Sequence, residues 1–131
     1  MRNWFRIGTA VLVLGLLIPM GTSAFSEEEQ GLTTAKGLCT GGTTTWDMEI
    51  ALEVGVGIEV GVDSGVPDQE WHLVVLYNKH TLIDQMETTE EAGDFDIRIV
   101  ENNAKGKDRV QIRAHNRDTG EVCFGQMETE I

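Results

Sequence analysis

Positive charge is scarce in this chain, and whole classes of function go with it. Ten lysines and arginines face 22 aspartates and glutamates, a formal net charge of −12. Nucleic acid and anionic membrane surfaces both require a positive footprint, so neither is an expected partner. The marks of catalysis are missing too, since an active site needs a nucleophile, base or metal held in register by a third group. There is no Gly-x-Ser-x-Gly turn, no phosphate-cradling glycine loop and no Cys-x-x-Cys pair. His72, His80 and His115 stand singly, without the paired spacing that zinc sites use. No Asp-x-Asp-x-Asp-Gly run is available to surround a calcium ion. Helical periodicity of any length is absent as well. These absences point away from an enzyme and from a bound cofactor or metal.

What is present begins with an export signal. Met1-Arg2-Asn3-Trp4-Phe5-Arg6 carries two positive charges, and Ile7 to Met20 is uncharged and mostly apolar. Gly21-Thr22-Ser23-Ala24 follows, with small residues at Thr22 and Ala24, where a signal peptidase reads. That order of basic, apolar and small segments describes a cleaved secretory signal over residues 1–24. As a membrane anchor the run is too short: its helix spans about 21 Å against a hydrocarbon core of about 30 Å. A lipid anchor does not fit either, because Cys39 lies well past the apolar run and follows bulky Leu38. The expected location is extracellular or periplasmic, with no integral membrane span after signal cleavage.

Cleavage after Ala24 leaves 107 residues, enough for one domain. Arg2 and Arg6 depart with the signal and no acid does, so eight basic residues remain against 22 acidic ones and the formal charge becomes −14. A domain of this size has a marginal core. Cys39 and Cys123 sit near its opposite ends, in a chain bound for an oxidising compartment. A bond between them would close a loop of 84 residues. The chain-entropy model values such a closure at roughly 4 to 5 kcal/mol.

Residues 25–38 contain Glu27-Glu28-Glu29 and little to bury, and read as a flexible acidic leader. From Thr43 onward the period is two. Trp46, Met48, Ile50, Leu52 and Val54 alternate with Asp47, Glu49, Ala51 and Glu53, then Gly55 to Gly57 marks a turn. Ile58, Val60 and Val62 form a second inward row, and Ser64 to Gln69 a loop. Trp71, Leu73, Val75 and Tyr77 line a third strand, and a weaker one follows around Thr81 to Thr88. Phe95, Ile97 and Ile99 mark the fifth, Val110, Ile112 and Ala114 the sixth, and Val122 to Thr129 the last. Seven short strands with regular turns predict an all-β domain over residues 39–131. The expected architecture is an antiparallel β-sandwich of immunoglobulin or fibronectin type III kind with one disulfide, which ties the entry of the first strand to the last.

The order of motifs is similar to that of small secreted bacterial proteins, common in actinobacteria, which have one immunoglobulin-like domain and no assigned activity. The resemblance rests on Cys39 with Gly41-Gly42, Trp46, Ile58-Glu59-Val60, Val62-Asp63-Ser64, Trp71, Asn78 and Thr88-Thr89. It continues through Gly93-Asp94-Phe95, Asn102, Asp108, Ala114 with Asn116, and Thr119-Gly120-Glu121-Val122-Cys123. It implies secretion, a sandwich fold and a Cys39–Cys123 bridge, and it brings no function. The chain departs from the pattern in its strong acidity and in Asp94, where serine is usual.

The candidate binding residues follow from strand phase. With Trp71, Leu73, Val75 and Tyr77 inward, Val74 and Leu76 point outward beside His72. With Cys123 inward, Val122 and Phe124 point outward. The third, sixth and seventh strands of an immunoglobulin-like sandwich share a sheet. Val74, Leu76, Val122 and Phe124 therefore fall on one outer face, with Gln111, Arg113 and His115 between them. An apolar stripe in a polar frame suits a protein or cell-envelope partner. The alternatives are a Ca²⁺ or carbohydrate binder acting through its loops, and an inhibitor of an extracellular enzyme using Ser64 to Gln69. Asp63, Asp68 and Glu70 border one acidic loop, and Asp94 and Asp96 another. Trp46 and Trp71 are in phase with inward residues, which makes them core and not a sugar platform.

Overall fold

Alternation of apolar and polar side chains builds nearly everything that follows. The computed structural model describes residues 25–29, 31–103 and 106–130. The expected signal peptide, residues 1–24, lies outside the described residues. The strands are β1 (Phe25–Glu29), β2 (Leu32–Leu38), β3 (Thr45–Glu53), β4 (Gly55–Asp63) and β5 (Glu70–Tyr77). They continue with β6 (His80–Thr88), β7 (Asp94–Glu101), β8 (Asp108–Asn116) and β9 (Val122–Thr129). A five-stranded sheet runs β1-β2-β3-β4-β7 and a four-stranded sheet runs β6-β5-β8-β9, with every pairing antiparallel. Among the described residues there is no helix, and so none long and apolar enough to cross a membrane.

The two sheets share one core, an all-β, sandwich-like arrangement. Trp46, Met48, Ile50, Val56, Ile58, Val60, Val62 and Phe95 face it from the first sheet. Trp71, Leu73, Val75, Tyr77, Val110, Ile112, Ala114 and Met127 meet them from the second. The inward row of β8 ends in polar residues on both sides, Asp108 and Asn116, each buried. The Tyr77 hydroxyl donates to Asp108 Oδ1, and Asn116 Oδ1 accepts the backbone N–H groups of Asp118 and Thr119 to shape the β8–β9 hairpin.

The seven expected strands are β3 to β9, and three details differ from the sequence reading. First, where the expected flexible leader of residues 25–38 is described it is strand: it holds β1 and β2, and β2 pairs with β3 from Leu32↔Ala51 to Leu38↔Thr45. The inward positions of β2 are Thr33, Ala35 and Gly37, small residues that leave no hydrophobic signature. At Gly37 the space is taken. A Cβ on Gly37 would lie 2.9 Å from the Trp46 indole, and one on Gly125 of β9 would lie 2.6 Å from it. Second, Leu52 and Val54 are not inward core residues; they are 53 % and 93 % exposed. β2 begins opposite Ala51, so Leu52 sits at the rim, and Val54 lies past the end of β3 in the hairpin turn. Third, that turn is tighter than expected, with Glu53 paired to Gly55 and Gly57 already inside β4. Gly55 has φ of 109°, a conformation that other residues rarely adopt.

Cys39 and Cys123 form the expected disulfide, with an S–S distance of 2.03 Å. It joins the exit of β2 to β9 and so links one sheet to the other. Hydrogen bonds reinforce the link. Thr40 N donates to Val122 O, Val122 N donates to Thr40 Oγ1, and the Glu121 carboxylate accepts from Gly41 N and Thr44 Oγ1.

Candidate binding face

Strand register decides what the outer face of the four-stranded sheet carries. β8 pairs with both β5 and β9, and β6 closes the row on the far side. Three ranks of outward side chains result. Met86, His72, His115 and Val122 make the first, and Asp84, Val74, Arg113 and Phe124 the second. Leu76, Gln111 and Gln126 make the third.

Val74, Leu76, Val122 and Phe124 thus share a face. The structure splits them into two pairs, however, Val74 with Leu76 on β5 and Val122 with Phe124 on β9. Between these runs the polar rank of β8, Gln111, Arg113 and His115. The apolar residues therefore form two short strips flanking the polar rank that the sequence also places between them. Phe124 is 57 % exposed, while Val74, Leu76 and Val122 are half-buried. Gln111 Nε2 donates to Gln126 Oε1, and His72 Nε2 lies 2.6 Å from Asp84 Oδ1, so parts of the polar frame are already tied together.

Met86 joins this face beside His72 and was not singled out from the sequence. Its strand pairs with β5 through a register shift at Val75/Leu76, and such a bulge changes the phase that period-two reading assumes. The described part of the expected leader does not cover the face, because β1 and β2 belong to the other sheet.

The loops differ in character. Residues 64–69 and 89–93 carry the chain between the sheets and brace one another. Ser64 N and Gly65 N donate to Gly93 O, Asp68 N donates to Thr89 O, and Thr89 N donates to Gln69 O. The buried Thr89 hydroxyl donates to Val66 O and accepts from Gln69 N. A Cβ on Gly93 would lie 2.3 Å from the Gly65 backbone, so no side chain fits there. Val66 and Pro67 stay exposed at the tip.

Acidic residues at this end are spread out. Asp63 Oδ1 accepts from Gly65 N, Asp63 pairs in register with Asp94, and Asp68 and Glu70 lie apart on the loop and at the start of β5. Among the described residues no three His, Cys, Asp or Glu side chains gather in a group that could hold a metal ion. Trp46 and Trp71 are both buried, and Trp71 packs near Phe95 with ring centroids 6.4 Å apart. Neither indole is available as an exposed platform for a sugar ring. Compared with protein-family models, with curated proteins and with solved structures, the chain matches none.

Proposed function

We propose that this chain is an exported, non-enzymatic β-sandwich module that binds a protein or cell-envelope partner through the outer face of β6-β5-β8-β9. The observation that carries the reading is a well-exposed Phe124 beside Val122, opposite Val74 and Leu76, on a face no described segment covers. Apolar side chains within a polar frame are the usual anatomy of a partner site. An immunoglobulin or fibronectin type III kinship is supported by the path of β3 to β9. Two strands in one sheet are followed by two in the other, then one, then two. Export is supported by the basic, apolar and small segments of residues 1–24 and by a disulfide that an oxidising compartment would preserve.

The test is a crosslinking pull-down from the native cell envelope with the wild-type chain and a Val74→Asp/Phe124→Asp variant. The variant is expected to keep its thermal midpoint and lose the crosslinked species. An unchanged profile at unchanged stability would remove the face from consideration. A second reading, inhibition of an extracellular enzyme by residues 64–69, draws on the hydrogen-bonded bracing of that loop around Thr89. A pre-ordered loop loses less entropy on binding.

A further inference from the structure

One strand of this acidic chain carries an outward row without a single acid. The outward residues of β8 are Arg109, Gln111, Arg113 and His115, and exposed Lys107 and Arg117 stand just beyond its two ends. Four of the chain's ten lysines and arginines thus fall between positions 107 and 117. Asp108, the one acid within that stretch, is buried and accepts from the Tyr77 hydroxyl.

Strand register isolates one of these cations. The acids that register places on the outer face of the four-stranded sheet are Glu70, Asp84 and Glu128. Glu128 is opposite Arg109 and lies 4.0 Å from Lys107, so that end of the row is partly neutralised. Asp84 lies against His72. Arg113 has none of the three beside it. Its direct neighbours are Val74 on β5 and Phe124 on β9. Glu70 and Glu128 sit further along those strands, about 13 Å from the rank of Arg113. Asp84 is two strands away, about 10 Å. All three separations exceed the Debye length of about 8 Å at physiological ionic strength. Among the described residues the exposed Arg113 guanidinium makes no hydrogen bond and no ion pair.

A cation therefore stands at the middle of the face, between the two apolar strips. Binding energy concentrates at the middle of an interface, where arginine is enriched. A ligand complementary to both elements carries a carboxylate between apolar side chains. A sugar or phosphate polymer would pair with Arg113 and leave Val74 and Leu76 against a hydrated chain. A nucleic-acid duplex or a membrane surface is broad enough to meet the outlying acids as well as the arginine. We infer, resting on the binding face proposed above, that the partner is an acidic protein segment. It sets a carboxylate on Arg113 and apolar side chains on Phe124 and Val74.

The probe is a displayed library of random linear peptides, selected on the folded, oxidised protein. Enriched peptides are expected to combine Asp or Glu with Leu, Ile, Phe or Trp. Fluorescence anisotropy then compares the tightest of them across variants whose folding is checked by thermal melts. Arg113→Glu is expected to weaken binding by about tenfold or more. Arg113→Lys is expected to weaken it less, and affinity is expected to fall as salt rises. Val74→Asp/Phe124→Asp is expected to abolish binding. Enriched peptides without acidic residues, or acidic ones that Arg113→Glu binds equally well, would overturn the acidic partner. If Val74→Asp/Phe124→Asp still abolished their binding, the face itself would stand. A library that yields no binder, or binders indifferent to the double variant, would remove the face and its partner together. Inorganic polyphosphate that bound more tightly than the selected peptide, and through Arg113, would overturn the protein segment in favour of an anionic polymer.

Discussion

The two long sides of this sandwich-like domain are closed to different degrees. Along β2 and β9 the sheets are joined by the Cys39–Cys123 bond, the Glu121 carboxylate and the Thr33–Thr129 hydroxyl pair. Trp46 fills the remaining space beneath Gly37 and Gly125. Along β6 and β7 the cover is partial: Leu82, Ile97 and Ile99 pack against the core while remaining partly exposed. Hydrogen bonds around Thr89 and Gly93 hold that side at one end. A small domain has little core to spend. Here the strong links gather where its ends meet, and the opposite side is more lightly covered.

The most forceful way to break this contrast is to remove the covalent link. Cys39→Ser with Cys123→Ser is expected to cost about 4 kcal/mol in a denaturant titration. A loss below about 1 kcal/mol would mean that the closed side carries far less of the stability than its bonds suggest.

Gly125→Ala tests the packing of the closed side. Its Cβ would meet a rigid indole at 2.6 Å. Overpacking of this kind costs about 2 kcal/mol. A thermal midpoint equal to that of the wild type would show that Trp46 is freer to shift than the packing implies.

The smallest effect is expected on the open side. Ile99 and Ile58 are direct partners in the β4–β7 ladder, yet Ile58 is fully buried and Ile99 half-buried. Ile58→Ala is expected to cost about 3 kcal/mol and Ile99→Ala about 1. Equal losses would mean that the open edge is packed as tightly as the core beside it.

Large alternating side chains were legible in the sequence. Trp71, Leu73, Val75 and Tyr77 announce an inward row, and once Cys123 is inward, Phe124 has to be outward. What period two does not carry is the position of neighbouring strands. Leu52 has the right phase and the wrong place, because β2 stops short of it. β2 itself was hidden because its inward residues Thr33, Ala35 and Gly37 add little apolar bulk, and Gly37 has to leave room for Trp46. Met86 was hidden by a bulge that shifts its strand by one residue. The polar rank of Gln111, Arg113 and His115 between Val74 and Phe124 was legible from the strand order expected of such a sandwich, and β8 does lie between β5 and β9. The open side depends on strand order alone, which no local pattern encodes.

The disulfide also determines how the domain responds to force. A pull on the two ends of the described chain can peel β1 and β2 from one side and the remainder of β9 from the other. It then reaches Cys39 and Cys123, and the load passes through the sulfur–sulfur bond. The residues between them, over a sequence separation of 84, are shunted out of the line of tension. At full extension they would add about 290 Å of slack. Under oxidising conditions that length stays locked, and the domain yields by a short step; a reductant would release the rest.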